Sequence, residues 1–209
     1  MNTTVVTVDK AHPDERVMEE AGRILKEGGL VAFPTETVYG LGGDGLNPDS
    51  SRKIYQAKGR PSDNPLIIHI ADMESLDKIV KAIPLKARKM AEAFWPGPLT
   101  MIFEKSSVVP YETTGGLESV AVRMPSHPVA AALIRTGGGY IAAPSANTSG
   151  RPSPTRASHV REDLEGKIDM IIDGGSVGIG LESTIVDFTE DEPVILRPGY
   201  INQEMMEDV

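Results

Sequence analysis

The sequence predicts an α/β fold built on a mixed sheet. Short apolar runs, typical of buried strands, alternate along the chain with segments whose apolar residues recur at helical spacing. Gly and Pro account for 21 and 16 of the 209 residues, and they separate these segments with constrained loops. Because strands and helices interleave, the pattern favours the α/β class, and it leaves the strand order open.

The first half of the chain predicts three strands and four helices. Val17, Ala21, Ile24 and Leu25 recur at helical spacing, and a Gly-Gly pair ends that helix. An Asn-Pro-Asp-Ser-Ser turn caps the second helix, the third begins at an Asp, and an early Pro favours the fourth. The strands are expected at 5–9, 30–34 and 66–70, and the helices at 13–27, 52–58, 72–80 and 84–94.

Residues 35–45 break the alternation directly after the second predicted strand. This segment contains hydroxyl residues, a carboxylate and four glycines in its last six positions, without helical or strand period. Glycine costs backbone entropy, so such a run predicts either positive φ angles or the close approach of another group. We therefore expect an irregular loop that borders a ligand.

The second half predicts six further strands and two helices. A Trp-Pro-Gly-Pro segment stops the preceding helix, and an apolar helix at 128–136 begins at a Pro and ends at three glycines. The last helix, at 156–164, follows a Pro-rich loop. The strands are expected at 99–103, 119–123, 140–143, 170–173, 184–188 and 194–196.

Composition excludes several classes of protein. The chain has no cysteine, which excludes disulfides and cysteine-ligated zinc, and its four histidines lack metal-finger spacing. A formal net charge of −9 argues against nonspecific binding to a nucleic-acid backbone, although a local basic pocket stays open. The sequence has neither a signal peptide nor an apolar run near the roughly 20 residues of a membrane helix. We expect a cytoplasmic protein with no membrane partner.

Two familiar signatures occur in the wrong context. Residues 40–45 match the dinucleotide fingerprint, but Pro48 and a new helix cap separate these glycines from the next helix. Residues 174–178 match the nucleophile elbow, but no helix follows, and all four histidines precede Ser176. Neither a Rossmann site nor a hydrolase triad is therefore expected.

Polar residues at the ends of predicted elements indicate a ligand-binding cleft. Lys58 and Arg60 could both reach one polyphosphate, but cations are also favoured at any helix C-terminus. His69 shares a strand face with Ile67, and a lone histidine of this kind is more often a satisfied core residue than a ligand contact. Polar groups recur beside later strands, which favours a cleft at one edge of the sheet; these groups are Ser145, Asn147, Ser183 and Arg197.

Seven short motifs occur in order between about residues 17 and 199. They are FPTETVYGL (33–41), KGRP with NPL (58–61 and 64–66), WPGPLT (95–100), VRMP (122–125), APSANTSG (143–150), ESTIVD (182–187) and LRPG (196–199). Each motif alone is weak. Together they resemble the YrdC family of threonylcarbamoyl-AMP synthases.

This resemblance implies both a fold and a reaction. The fold is a twisted mixed sheet, parallel and antiparallel, with flanking helices around a deep, positively charged cavity. The enzyme would be a nucleotidyltransferase that converts L-threonine, bicarbonate and ATP into L-threonylcarbamoyl-adenylate and pyrophosphate. The product serves the threonylcarbamoyladenosine modification of tRNA, which a separate transferase complex completes, and weak tRNA binding is a further expectation.

The resemblance also implies a set of site residues. Lys58 and Arg60 are expected to be catalytic, and Mg²⁺ is expected to enter with ATP, without a metal ligand assigned to the protein. ATP is expected to contact Lys58, Arg60, Asn64, Ser145, Asn147, Arg151 and Arg197. L-Threonine is expected to contact Thr37, His69, Arg123, Ala143 and Ser183.

Longer members of the family carry a second, C-terminal domain. This chain ends ten residues after Gly199, so it resembles the single-domain form. We expect one domain over residues 1–209, with a core of about 17–199 and a short tail at 200–209.

Two alternatives remain open. The first is an RNA-binding or translation-associated module without nucleotide turnover, which would show a steeply salt-dependent affinity for tRNA. The second is a carbamoyl-transfer domain related to hydrogenase maturation proteins, which would use a substrate derived from carbamoyl phosphate.

Overall fold

A computed structural model describes all residues, 1–209, and contains ten strands and eight helices. The strands are β1 (Thr4–Thr7), β2 (Val31–Pro34), β3 (Tyr39–Asp44), β4 (Ile67–His69), β5 (Leu99–Glu104), β6 (Ser119–Arg123), β7 (Ile141–Ala142), β8 (Met170–Asp173), β9 (Thr184–Asp187) and β10 (Val194–Arg197). The helices are α1 (Glu15–Lys26), α2 (Pro48–Lys58), α3 (Met73–Ile79), α4 (Leu85–Phe94), α5 (Tyr111–Thr114), α6 (Pro128–Thr136), α7 (Ala157–Leu164) and α8 (Gln203–Glu207).

All ten strands belong to one mixed sheet in the order β1-β8-β2-β3-β7-β4-β6-β5-β9-β10. Four neighbouring pairs are parallel, namely β1–β8, β2–β8, β4–β6 and β5–β9, and the other five are antiparallel. The predicted α/β class with a mixed sheet is confirmed. None of the helices combines the length and the apolar character that crossing a membrane requires.

Helices pack on the sheet through three apolar clusters. One joins α3 and α4 to β5 and β6, the second joins α1 and α6 to β2 and β8, and the third joins α2 and α7 to β3. In the second cluster a glycine permits close helix packing, since a Cβ on Gly22 would lie 2.6 Å from the carbonyl carbon of Thr136. Leu25 and Leu133 are fully buried in this cluster, so truncating either to Ala would cost about 2–5 kcal/mol.

The predicted loop at 35–45 is wrong over most of its length, because Tyr39–Asp44 is strand β3. Its glycines do not adopt positive φ angles. They permit close packing inside the sheet instead: a Cβ on Gly42 would lie 2.8 Å from Cγ2 of Ile141 and 2.9 Å from Cε1 of Phe33. The strand was missed because glycines carry no side chains from which an alternating pattern can be read.

Some element boundaries also differ from the predictions. Helix α2 begins at Pro48, where the Asn47 side chain accepts a hydrogen bond from the backbone N–H of Asp49. The short helices α5 and α8 were not predicted. The expected tail at 200–209 contains α8, and both Ile201 and Met206 are buried in the first apolar cluster.

Candidate active site

A cavity of about 380 Å³ lies on one face of the sheet, above strands β4, β6, β5 and β9. Side chains alternate along these strands, so His69 and Arg123 line the cavity while Ile68 and Val122 are buried in the core on the other face. The walls come from the segment before β3, the loop after α2, the loop after β7 and the segment before β9. The expectation of a cleft at the sheet edge therefore needs correction: loops at strand ends form the walls, but the floor is the face of the central strands.

All five residues predicted to contact threonine line this cavity. Arg123 is almost fully buried and donates from Nη1 to the Thr37 hydroxyl at 2.9 Å, from Nη2 to the Glu36 carboxylate at 2.5 Å and from Nε to the Gly97 carbonyl at 3.4 Å. The other Glu36 oxygen accepts from the backbone N–H of Ser126 at 3.2 Å. The guanidinium is therefore held in one orientation.

Glu36 is ionised in this arrangement. Burial alone would raise the pKa of its carboxyl group, but the charge of Arg123 and its hydrogen bond outweigh burial, and the pKa is lowered. Breaking such a buried pair from one side leaves an uncompensated charge. Glu36 thus fixes Arg123 from behind the cavity wall.

His69 presents a neutral imidazole to the cavity. Its Nδ1 lies 3.1 Å from the Ile67 carbonyl oxygen, and since a carbonyl only accepts, Nδ1 carries the proton and Nε2 is an acceptor. The ring packs edge-on against Phe33 at a centroid distance of 6.4 Å. Burial and then the charge of Arg123 lower the pKa of His69 to about 3.

Ser183 connects Arg197 to Thr100 of strand β5. Its hydroxyl lies 2.7 Å from the Thr100 hydroxyl, and Arg197 donates to the same hydroxyl at 3.2 Å and to the Ser183 carbonyl at 3.0 Å. Arg197 also pairs with Glu182 at 2.6 Å. This network places Arg197 and Ser183 side by side.

Four of the seven residues predicted to contact ATP line the cavity, namely Arg60, Asn64, Ser145 and Arg197. Arg60 is in no ion pair and binds its own loop: it donates from Nε to the Asn64 carbonyl at 3.1 Å, and from Nη2 to the Asn64 side-chain oxygen at 2.8 Å and the Pro65 carbonyl at 2.9 Å. Burial lowers the pKa of Arg60 from its ordinary value.

Lys58, Asn147 and Arg151 lie behind the cavity wall. Lys58 is 1% exposed and donates to the carbonyls of Ser145 and Asn147. Burial, followed by the charge of Arg60, lowers the pKa of Lys58 to about 8. Lys58 therefore holds the 145–147 segment against α2.

The loop after β7 is fastened a second time through α7. The Asn147 amide donates to the carbonyls of Thr148 and Arg151, at 3.0 and 2.8 Å. Arg151 pairs with Asp163 of α7, and the Asp163 carboxylate also accepts from the backbone N–H of Thr148 at 2.9 Å. The residues that were predicted to bind ATP here organise the loop that carries Ser145.

The convergence of the motifs on one cavity agrees with the comparison to known proteins. The family model Sua5/YciO/YrdC, described as telomere recombination, matches residues 23–199. The chain belongs to the Sua5/YciO/YrdC family.

Curated members of the Sua5/YciO/YrdC family resemble it over nearly its whole length. It is 54% identical to the threonylcarbamoyl-AMP synthase of Pyrococcus abyssi over 99% of this chain and 61% of that protein. It is 52% identical to the threonylcarbamoyl-AMP synthase of Bacillus subtilis over 98% of this chain and 60% of that protein. The crystal structure of P. abyssi Sua5 complexed with L-threonine superposes with a TM-score of 0.96 at 53% identity, covering 99% of this chain and 60% of the other. The chain thus spans about 60% of the length of these relatives.

In this Sua5/YciO/YrdC site, no carboxylate was among the residues predicted to contact ATP or threonine, although Glu36 was expected in the amino-acid wall of the cavity beside Thr35 and Thr37. Glu182 lines the cavity and Glu36 lies behind Arg123, and each is paired with a guanidinium. Glu36 lies in the FPTETVYGL motif and Glu182 begins the ESTIVD motif. Their presence in these motifs was the sequence signal that could have assigned both to the site. The positive charge of the cavity stays a prediction. Its lining contains three arginines and one glutamate, and two of the arginines are paired with carboxylates.

A larger cavity of about 660 Å³ lies elsewhere on the molecule, beside Met1, Ile24, Lys53 and Lys167. None of the predicted site residues lines it. The smaller cavity is therefore the candidate active site of this family member, because the motif residues meet there.

Proposed function

We propose that this chain forms L-threonylcarbamoyl-adenylate and pyrophosphate from L-threonine, bicarbonate and ATP, and is thus a nucleotidyltransferase. The observation that carries the proposal is that one cavity gathers all five residues predicted to contact threonine and four of those predicted to contact ATP. Similarity to curated synthases over nearly the whole chain supports it.

Arg123 is proposed to bind the threonine carboxylate. A guanidinium carries five N–H donors, and three of them are taken by Gly97, Thr37 and Glu36. Two donors remain for a carboxylate, which matches the bidentate geometry that arginine favours. The neutral His69 would accept an N–H of the substrate amino group at Nε2, while Ala143 and Ser183 close the same pocket.

Two bonds form in the proposed reaction. The threonine amine attacks the carbon of bicarbonate and gives up a proton, and one C–O bond breaks to release water and leave a carbamate. A carbamate oxygen then attacks the α-phosphorus, and the bond from that phosphorus to the β-phosphate oxygen breaks to release pyrophosphate. The chain's contribution is positioning and charge stabilisation. Arg60 and Arg197, which line the cavity, are proposed to meet the developing phosphate charge. The proposed phosphate contact of Lys58 requires its ammonium to turn away from the carbonyls of Ser145 and Asn147.

Mg²⁺ is proposed to enter with the phosphates of ATP. Mg²⁺ ordinarily keeps several waters and uses one or two carboxylates together with substrate phosphates. Glu182 is the carboxylate in the cavity lining, but its two oxygens already accept from Ser153 and Arg197, so we assign the ion no ligand from the protein. The ion would neutralise charge on the departing pyrophosphate.

The test is an assay of pyrophosphate release from ATP, Mg²⁺, bicarbonate and L-threonine, with product detection by mass spectrometry. We expect release that depends on threonine and a product of the mass of threonylcarbamoyl-adenylate. A parallel reaction with carbamoyl phosphate in place of threonine and bicarbonate separates the synthase from a carbamoyl-transfer domain. Folded protein that releases no threonine-dependent pyrophosphate would contradict the proposal.

The proposed product leaves the chain for a separate tRNA threonylcarbamoyl-transferase complex, in the cytoplasm. Weak direct binding to tRNA is part of the proposal. The net charge of −9 disfavours contact with a nucleic-acid backbone, so we expect tRNA to bind more weakly than ATP. A tRNA affinity that is steeply salt-dependent in a protein without ATP turnover would favour the RNA-binding alternative instead.

A further inference from the structure

Tyr55 carries a buried hydroxyl that has no hydrogen-bond partner in the structure. The side chain lies on α2, three residues before Lys58, and its residue is 6% exposed. Its ring packs in the third apolar cluster with Leu66 and Ala146. A buried hydroxyl without a partner has lost its hydrogen bonds to water and gained none.

The hydroxyl groups of the other four tyrosines are either hydrogen-bonded or exposed to solvent. The hydroxyl of Tyr39 donates to the Gly175 carbonyl at 2.7 Å, that of Tyr111 donates to Glu118 at 2.7 Å, and that of Tyr140 donates to the Ser75 carbonyl at 3.2 Å. The fifth, Tyr200, is exposed to solvent. Only Tyr55 combines burial with an unpaired hydroxyl.

The charged groups that act on this hydroxyl belong to the loop after α2. Burial is the main reason that the pKa of Tyr55 is raised to about 12, and the charges of Arg60 and then Asp63 act on it in opposite directions. The backbone N–H of Arg60 donates to the Tyr55 carbonyl at 2.9 Å. This bond at the end of α2 fixes the Arg60 backbone near Tyr55, whereas the Arg60 guanidinium faces its own loop.

The Arg60 guanidinium makes three hydrogen bonds. All three go to Asn64 and Pro65 within its own loop, and residues 61–64 of that loop are exposed. A polyphosphate would compete for the same N–H groups, since charge-assisted bonds to phosphate are stronger than bonds to carbonyls. Turning the guanidinium toward phosphate would free it from Asn64 and Pro65.

We propose that Tyr55 is a positioning residue for the nucleotide, and that its hydroxyl accepts a hydrogen bond from Arg60 once Arg60 turns to the polyphosphate. The unpaired hydroxyl in the structure is then the acceptor that is kept for the bound state. This inference rests on the proposed function, because it needs ATP to bind in this cavity.

Tyr55→Phe tests the inference because its two effects have opposite signs. Removing an unpaired buried hydroxyl leaves the ligand-free protein equally stable or more stable. Losing an acceptor for a charged donor weakens ATP binding about tenfold. The measurements are the thermal midpoint without ligand, the ATP dissociation constant by calorimetry, and the two KM values for ATP and threonine. The ATP dissociation constant and KM for ATP should rise, whereas KM for threonine should not change.

Tyr140→Phe is the matched control, because it removes a paired tyrosine hydroxyl. It should lower the thermal midpoint and leave ATP binding unchanged. The double variant Tyr55→Phe with Arg60→Met should bind ATP no more weakly than Arg60→Met alone, since the bond requires both groups and methionine has no hydrogen to donate.

Each failure has a distinct result. Wild-type protein that does not bind ATP overturns the proposed function and this inference together. Wild-type binding with equal binding by Tyr55→Phe overturns the Tyr55 inference alone. A variant that loses stability and ATP affinity in parallel assigns Tyr55 an ordinary structural role and also overturns it.

Discussion

The two ends of the cavity are built differently. At the end assigned to threonine, Arg123 and His69 project from adjacent strands, are almost fully buried, and are fixed by side-chain or backbone partners. At the end assigned to ATP, Arg60 and Arg151 lie on loops, and the Arg151 side chain is 55% exposed. The comparison teaches that the amino-acid end is preorganised by the sheet, whereas the nucleotide end depends on loops that a ligand can rearrange.

The largest expected effect is at the preorganised end. Arg123→Met leaves the buried Glu36 carboxylate without its partner, and breaking a buried pair in this way costs about 3–5 kcal/mol of stability. Denaturant unfolding measures the loss, and threonine binding should disappear. Arg123→Met with Glu36→Gln is the control, since it removes both charges and should recover much of the stability without restoring threonine binding. A single variant as stable as wild type would mean that this end is not fixed by the ion pair.

The second effect is a pH dependence that belongs to His69. Its pKa is about 3 in the folded protein against an ordinary 6.5, so between these values the unfolded chain binds a proton that the folded protein does not. Stability should therefore fall as pH drops below about 6.5, by up to about 1.4 kcal/mol per pH unit. Unfolding curves of wild type and His69→Gln between pH 4 and pH 7 measure it, and the variant should have the smaller slope. Equal slopes would mean that the pKa of His69 is the same in the folded protein and in the unfolded chain.

A smaller loss of stability is expected for Lys58, which lies behind the cavity wall at the end assigned to ATP. Lys58→Met keeps the length of the side chain but leaves the carbonyls of Ser145 and Asn147 without their donor, at a cost of about 1–3 kcal/mol. We expect loss of adenylate formation together with this moderate destabilisation, whereas threonine binding persists. Separate calorimetric titrations with ATP and threonine check the difference. Loss of both affinities to the same degree would mean that the two ends are not independent.

The smallest effect is expected at Arg151. Its ion pair with Asp163 is exposed on the arginine side and buried on the carboxylate side. Asp163 keeps its hydrogen bond from the Thr148 backbone N–H, and a glutamine can still donate to it, so Arg151→Gln should cost about 1 kcal/mol. Any change in KM for ATP should be correspondingly slight, because Asn147 and Asp163 still fasten the loop. A severe loss of ATP binding would instead place Arg151 in direct contact with the nucleotide and would sharpen the boundary of that end.

Sequence reasoning predicted elements well where the side-chain pattern was strong. Strands β6 and β8 and helix α6 have the predicted bounds, since each is an apolar run with clear stop signals. Strand β3 was missed because its glycines have no side chains to reveal an alternating pattern. The role of Lys58 in holding the 145–147 segment was also missed, because its carbonyl partners lie far away in sequence and backbone groups carry no sequence signal.

The sequence by itself determined the α/β class, most elements and the motifs that identify the family. Those follow from local periodicity and residue type, which the chain displays in one dimension. Only the tertiary structure decided the strand order, the position of the cavity on the sheet face, and which motif residues line it. The pairing of β4 with β6 brings His69 beside Arg123. These residues are far apart in the sequence, and the two strands become neighbours only when their apolar faces are packed together in the core.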